Sequence, residues 1–308
     1  MLSQDTAAES QFKAGYVAVI GRPNVGKSTL VNRLVGQKLS IVSPRPQTTW
    51  HRILGIRNLP NAQLLFVDTP GIHESGAVFN QGMIQSAIAA LGDADVILWV
   101  VDASQPDDPD DQSILAEIER QPPGKPLLLI LNKVDRVAKP ELLPRIAAWQ
   151  ARHPFREIIP LSARSGHNVD RLQAILLREI PVGHALYPPD ELSDRSERFF
   201  IAEILRERAF ELLRQELPYA VAVEVEAVRA REGREFTDVE ATLYVEKDSQ
   251  KGIVIGVGGA MLKRIGSQAR PEIEALVGTP VFLALTVKVL PGWRKDPAAL
   301  KRFGYLES

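Results

Sequence analysis

Eight consecutive residues, Gly21-Arg22-Pro23-Asn24-Val25-Gly26-Lys27-Ser28, carry the clearest chemical signal in the chain. They fit the pattern G-x-x-x-x-G-K-[ST], in which glycines let backbone N–H groups close around phosphate oxygens at the start of a helix. Lys27 is then placed to reach the β- and γ-phosphates of a nucleotide, and the Ser28 hydroxyl to ligate Mg²⁺. Gly21, Val25, Gly26 and Thr29 complete the phosphate-binding stretch. Glycine makes up roughly 7% of residues, so a match arises by chance in about one chain of this length in a hundred.

Three shorter groups follow in an order that adds specificity. Asp68-Thr69-Pro70-Gly71 ends an apolar run and offers a carboxylate for a metal and a flexible peptide for a γ-phosphate. Asn132-Lys133-Val134-Asp135 ends the second of two further apolar runs, and Ser162-Ala163-Arg164 ends the one after it. A carboxylate such as Asp135 accepts from guanine N1–H and the exocyclic amine together, a pair that adenine does not present. Asn132 can meet the acceptor edge of guanine, the Lys133 stem can cover the ring, and the Ala163 N–H can meet O6. Each group sits at the C-terminal end of a strand-like run, where ligands bind open α/β sheets. Together they describe a GTP site.

These residues need a scaffold, and the rhythm of the chain supplies one. Apolar runs at 16–20, 51–56, 63–67, 96–101, 126–131 and 157–161 alternate with helical patterns near 27–36, 80–91, 110–120, 140–152 and 168–180. Runs apolar on both faces, such as 96–101 and 127–131, suit central strands covered by helices on each side. The alternation predicts a doubly wound α/β domain with a mostly parallel sheet over 15–181. The short connection 58–62 predicts one antiparallel pair. Residues 182–195 read as a linker, with Pro188, Pro189 and three acids. The remainder, 196–308, runs helix, strand, strand, helix, helix, strand, an α+β domain with its last helices parted at 256–259.

That break is Gly256-Val257-Gly258-Gly259, a Gly-x-x-Gly loop of the kind that clamps single-stranded RNA backbone. Lys251, Lys263, Arg264 and Arg270 are the cations around it. Charge segregation supports an anionic partner. The whole chain has a formal net charge of −1, yet residues 251–308 hold nine basic and four acidic residues. Arg294, Lys295, Lys301 and Arg302 could meet RNA or a membrane surface. The absence of cysteine excludes a disulfide framework, thiolate zinc sites and cysteine nucleophiles. The first twelve residues lack the apolar core of a signal peptide, and no run approaches about 20 apolar residues, so a cytoplasmic location is expected.

Taken together these residues resemble the Era family of bacterial P-loop GTPases. The first motif, Pro46-Gln47-Thr48-Thr49, the run Asp194-Arg195-Ser196-Glu197-Arg198-Phe199, and the tail with Gly292-Trp293 and Gly304-Tyr305 all carry the likeness. The resemblance implies a GTPase domain followed by a smaller type II KH domain. It also implies GTP hydrolysis with Mg²⁺, RNA binding near the 3′ end of 16S rRNA, and a part in 16S rRNA processing and 30S subunit biogenesis with a cell-cycle link. The family further implies a monomer, in part peripherally attached to the cytoplasmic face of the cell membrane. Switch I would donate Thr48 or Thr49 to Mg²⁺; Thr49 is assigned, joining Ser28 and Asp68.

Ile72 stands where many GTPases carry a water-orienting glutamine, which the family shares and which implies slow turnover. Asn24 is a candidate K⁺ ligand in compensation, with a loop-satisfying asparagine as the alternative. Asn24, Lys27, Thr49 and Gly71 are the expected catalytic group. Trp50 replaces the usual arginine and is expected to cover switch I, and Val257 is apolar where the loop usually carries a polar side chain. His51 and His73, near the switches, are read as packing or solvent-facing side chains in preference to general bases.

Overall fold

The computed structural model describes residues 11–41, 50–69, 90–105, 108–120, 122–231, 233 and 235–305. The chain divides into two units. Described residues 11–38, 52–69 and 90–194 belong to the first, and 39–41, 50, 51 and 195–305 to the second.

In the first unit six strands, β1 (Lys13–Ile20), β2 (Ile53–Leu59), β3 (Ala62–Asp68), β4 (Val96–Asp102), β5 (Leu127–Asn132) and β6 (Glu157–Pro160), form one sheet in the order β2-β3-β1-β4-β5-β6. Only β2 and β3 pair antiparallel; the other four pairings are parallel. Every residue of β3, β4 and β5 is buried, which is why their sequences are apolar on both faces. Helices α1 (Lys27–Val35), α2 (Pro109–Glu119), α3 (Lys139–Arg152) and α4 (Val169–Glu179) follow strands as the alternation predicts. Of the helix expected near 80–91, residues 90 and 91 are described and both are helical.

The predicted strand at 51–56 begins instead at Ile53 and runs on to Leu59. Asn58 pairs with Gln63 and Leu59 with Ala62, so only Pro60 and Asn61 are left to turn the hairpin. The proline-rich segment after α4 is also more ordered than its composition implies. Gln63 is fully buried, and its side chain donates to the Tyr187 carbonyl at 2.8 Å while accepting from the N–H groups of Leu186 (2.8 Å) and Tyr187 (3.0 Å). The Ile56 N–H donates to the Leu192 carbonyl at 2.9 Å. The segment is therefore pinned along the β2–β3 hairpin within the first unit.

The second unit follows the order read from the sequence: α5 (Glu197–Leu212), β7 (Ala222–Ala230), β8 (Thr237–Val245), α6 (Asp248–Ile255), α7 (Ala260–Val277) and β9 (Val281–Val289), then a short α8 (Pro297–Arg302). Its sheet is β7-β8-β9, antiparallel then parallel. Ile201, Leu205 and Ala209 of α5 and Ile265, Ala269 and Ile273 of α7 are fully buried in its core with Val239 and Leu243 of β8. Their spacing of four places each set on one helical face. A second, aromatic cluster gathers Trp50, Tyr244, Trp293, Leu300 and Phe303. Residues 50 and 51, read from the sequence as part of the first domain, thus pack in the second unit.

Candidate functional site

The chain leaves β1 at Ile20, turns through 21–26 and enters α1 at Lys27. Gly26 is the residue before the helix, with φ 101° and no side chain to cap it, so the N-terminus of α1 faces the loop without a capping side chain from that position, the arrangement that suits an anion. A Cβ at Gly26 would also collide with the Asn132 amide nitrogen, so glycine is required here on two counts. Lys27 is buried and donates from Nζ to the carbonyls of Gly21 and Arg22, both at 2.8 Å. Burial lowers its pKa to about 8, with Asp68 opposing and Arg22 assisting. Asp68, fully buried at the end of β3, and Ser28 at the start of α1 supply hard oxygen donors suited to Mg²⁺. Thr69 donates to the Val19 carbonyl at 2.8 Å, which fixes the end of β3 to β1.

The base-recognition residues are tied to this loop. Asn132 is buried; its Nδ2 donates to the Val25 carbonyl at 2.8 Å and its Oδ1 accepts the Ala163 N–H at 2.9 Å. It is a truss between the phosphate loop and the loop after β6. The Ala163 N–H, read from sequence as a donor to guanine O6, is here bonded to Asn132. Lys133 adopts φ 63°, and its Nζ donates to the Asn24 carbonyl at 2.6 Å and pairs with Asp102 at 2.7 Å. Burial acts to raise the Asp102 carboxyl, but hydrogen bonds from Lys133 and Ser104 hold it below the usual range. Asp135 is exposed in a short 3-10 turn, and Arg164 is exposed beside Ala163.

Three polar side chains of the site went unread in the sequence. Arg33 of α1 donates to the carbonyls of Ala163 and Arg164, both at 2.6 Å, and so holds the loop after β6 from the helix that follows the phosphate loop. Arg22 reaches the start of α2. Asp102 holds Lys133. Only the acidic end of β4 could have flagged Asp102, as a carboxylate closing an apolar run; nothing local marks the arginines. Thr48, Thr49, Pro70, Gly71, Ile72 and His73 lie outside the described residues.

In the second unit α6 ends at Gly256, where φ is 73° and a Cβ would lie 2.8 Å from Met261 Cβ. A 3-10 turn, Val257–Gly259, joins it to α7, which again begins without a side-chain cap. Val257 is 96% exposed at the tip, so its apolar side chain is presented to whatever binds there. Lys263, Arg264 and Arg270 are exposed on α7 and Lys251 is half-buried on α6. The tail cations divide differently. Arg294 pairs with Glu246 at 2.5 Å and Arg302 with Glu224 at 2.6 Å, so these two are engaged within the protein. Lys295 and Lys301 are exposed.

Trp50 is expected from the sequence to cover switch I, whose residues 46–49 lie outside the described ones; its own side chain is buried in the aromatic cluster. It is 3% exposed, with its ring 5.3 Å from Tyr305, 6.3 Å from Trp293 and 4.4 Å below the Arg206 guanidinium. His51 packs as expected of a structural histidine: Nδ1 lies 2.9 Å from the Gly304 carbonyl and Nε2 is 3.5 Å from Glu203.

Comparison with known proteins follows this division. Residues 16–133 match the family model of a 50S ribosome-binding GTPase, and 216–294 match that of a KH domain. The chain is 47% identical over 298 residues to the GTPase Era of Geobacter metallireducens, covering 97% of this chain and 99% of that protein. Against the GTPase Era of Lacticaseibacillus paracasei the identity is 46%, covering 96% and 98%. Two solved structures superpose with TM-scores of 0.92 at 40% identity, each covering 96% of this chain and all of the other. One is Era in complex with MgGDPNP and nucleotides 1506–1542 of 16S ribosomal RNA; the other is a point variant of Aquifex aeolicus Era bound to GDP and AlF4⁻.

Proposed function

Because this chain belongs to the Era family of GTPases, with a KH domain after its GTPase domain, we propose that it couples GTP hydrolysis to binding of the 3′ region of 16S rRNA during 30S subunit maturation. The GTPase reaction yields GDP and phosphate. In this reading residues 15–181 form the GTPase domain, 182–195 the connection and 196–308 the RNA-binding part. The protein acts as a cytoplasmic monomer, with peripheral membrane contact and the cell-cycle link as secondary features of the same reading. The buried, doubly bonded Asn132 joining the phosphate loop to Ala163 is the observation that carries the nucleotide reading, because it ties phosphate and base recognition into one rigid cradle.

Catalysis here is positioning plus electrostatics around the γ-phosphoryl group. Lys27 meets the β- and γ-phosphates, the α1 N-terminus binds their oxygens, and Asp135 selects guanine. Bound Mg²⁺, held by Ser28, Asp68 and Thr49, supplies charge neutralisation at those oxygens. Asn24, at φ 63° on the exposed rim of the loop, would hold a K⁺ ion, and that ion would supply positive charge where Ile72 offers no polar group.

The signal to RNA runs along the chain. The assigned metal ligand Thr49 directly precedes Trp50, whose side chain is buried among the aromatic residues of the second unit. A backbone shift at Thr49 therefore reaches that cluster within one residue. Binding of a single-stranded oligoribonucleotide of the 16S 3′ end, measured with GDPNP and with GDP, tests the proposal. Tighter binding with GDPNP is expected, and Trp50→Ala should erase the difference between the nucleotides. Four engaged cations, Lys251, Lys263, Arg264 and Arg270, give a slope of log K against log salt of about −3 for a single strand. Equal affinity for a scrambled sequence in both nucleotide states would refute it.

A further inference from the structure

The phosphate-loop pattern demands nothing of its second residue, yet Arg22 holds that place with its side chain almost wholly inside the protein. Burying a guanidinium is costly unless it is paired. Its partners come from one place: Nη1 lies 2.5 Å from Asp108 Oδ2, and Nε lies 2.9 Å from Asp111 Oδ1. Asp108 is the cap of α2, its other oxygen accepting the Asp110 N–H at 3.1 Å, and Asp111 is buried in the first turn of that helix. At the other end of the same residue, the Arg22 carbonyl accepts the Lys27 Nζ proton at 2.8 Å.

We propose that Arg22 is a positioning residue for phosphate binding: a strut, anchored in α2 by Asp108 and Asp111, whose carbonyl sets the place of the Lys27 ammonium. This rests on the reading of 21–29 as the phosphate site and adds to it a residue that touches no phosphate. The geometry makes the strut's effect selective. Loosening it displaces the Lys27 ammonium directly, whereas the base-recognition residues, though also bonded to the loop at Asn24 and Val25, keep anchors outside it: Lys133 on Asp102, Asn132 on the Ala163 N–H, and the Ala163 and Arg164 carbonyls on Arg33. Phosphate-dependent affinity should fall while base-dependent affinity stays.

The anchor also titrates. Burial raises the Asp111 carboxyl to about 6, against the pull of Arg22 and with the push of Asp108 and Asp110, the charged groups that bear on it. Below that pH the ion pair to Arg22 loses its charge, and the strut is held by Asp108 alone.

The experiment measures GDP and guanosine affinities of the full chain by competition against a fluorescent guanine nucleotide, for the natural protein, Arg22→Ala, Arg22→Lys and Asp111→Asn, with thermal unfolding followed alongside. Arg22→Ala should weaken GDP at least tenfold and leave guanosine within twofold; Arg22→Lys, which keeps one contact of the fork, should recover part of the loss. Asp111→Asn is the second variant should Arg22→Ala not fold. Lowering the pH from 7 to 5 should weaken GDP more in the natural protein than in Asp111→Asn, since the variant keeps the ligand's own protonation but lacks the titrating carboxyl. Equal loss of GDP and guanosine would make Arg22 a merely structural residue, and unchanged GDP affinity would remove the strut; either overturns the proposal. Failure of guanosine to compete with the natural protein would instead strike at the assignment of the base site.

Discussion

Replacing Asn132 by alanine tests the cradle at its most connected point. The side chain is 2% exposed and makes two hydrogen bonds of ordinary length, one to a carbonyl of the phosphate loop and one from a backbone N–H of the loop after β6. Its orientation is fixed by those partners, since only Nδ2 toward Val25 and Oδ1 toward Ala163 satisfies both. Each bond contributes about 1 kcal/mol net, and each stranded buried partner costs about 1–3 kcal/mol if water does not reach it. A loss of about 3 kcal/mol is therefore expected, roughly a hundredfold in an equilibrium constant. Urea unfolding with and without saturating GDP divides that loss between the fold and the bound state. Asn132→Asp sharpens the test: it is nearly isosteric but turns an anionic oxygen toward the Val25 carbonyl, so at neutral pH it should be no better than alanine. An alanine variant within about 0.5 kcal/mol of the natural protein, the usual effect of an unimportant surface change, would refute the truss. So would an aspartate variant as stable as asparagine.

Three other outcomes are expected. GTP turnover should rise when Na⁺ is replaced by K⁺, and Asn24→Ala should abolish the difference; equal rates in both salts would exclude Asn24 as a K⁺ ligand. Asp135→Asn should shift preference from guanosine to xanthosine nucleotides, read as the ratio of the two affinities, because the amide presents a donor where the carboxylate accepts. In the second unit, burial acts to raise the Glu203 carboxyl, but Arg206 and His51 outweigh it and draw it from 4.5 down to about 2. A folded value below the unfolded one means stability that is complete above about pH 4.5 and lost as the pH falls through about 2. Glu203→Gln should begin about 3–5 kcal/mol less stable at neutral pH, because the buried Arg206 loses the carboxylate that holds both arms of its guanidinium, and should change less across that acid window in a pH series of unfolding curves.

Much of this protein is legible in its sequence because its signals are local. The phosphate loop, the acidic end of β3, the Asn-Lys-x-Asp run and the Gly-x-x-Gly break each hold their chemistry within a few adjacent residues; the first three lie where a strand gives way to a loop or helix, and the last parts two helices. The sheet could be read because β3, β4 and β5 are buried on both faces, which leaves their apolar runs unbroken. At the proline-rich segment 182–195, read as a linker, composition does not show what the segment packs on: Gln63, a polar residue within β3, satisfies backbone groups of that segment more than a hundred positions away.

The arginines show the same limit more sharply. Arg22 and Arg33 are charged residues in ordinary surroundings, and nothing within ten residues of Arg33 indicates that its guanidinium will hold the carbonyls of Ala163 and Arg164. Arg33 meets backbone carbonyls, which leave no compositional trace, and Arg22 meets two aspartates of the acidic run 107–111, which composition shows without showing the cation it pairs with. Trp50 belongs with them. Its place beside the switch threonines gives no sign of the surface on which its large ring is buried. That surface is built by Trp293 and Tyr305, from the far end of the chain, with Arg206 closing it from above. Residues that do chemistry are constrained by the ligand and so cluster in sequence patterns. Residues that hold them in place are constrained only by each other, and their pairing is decided by the fold.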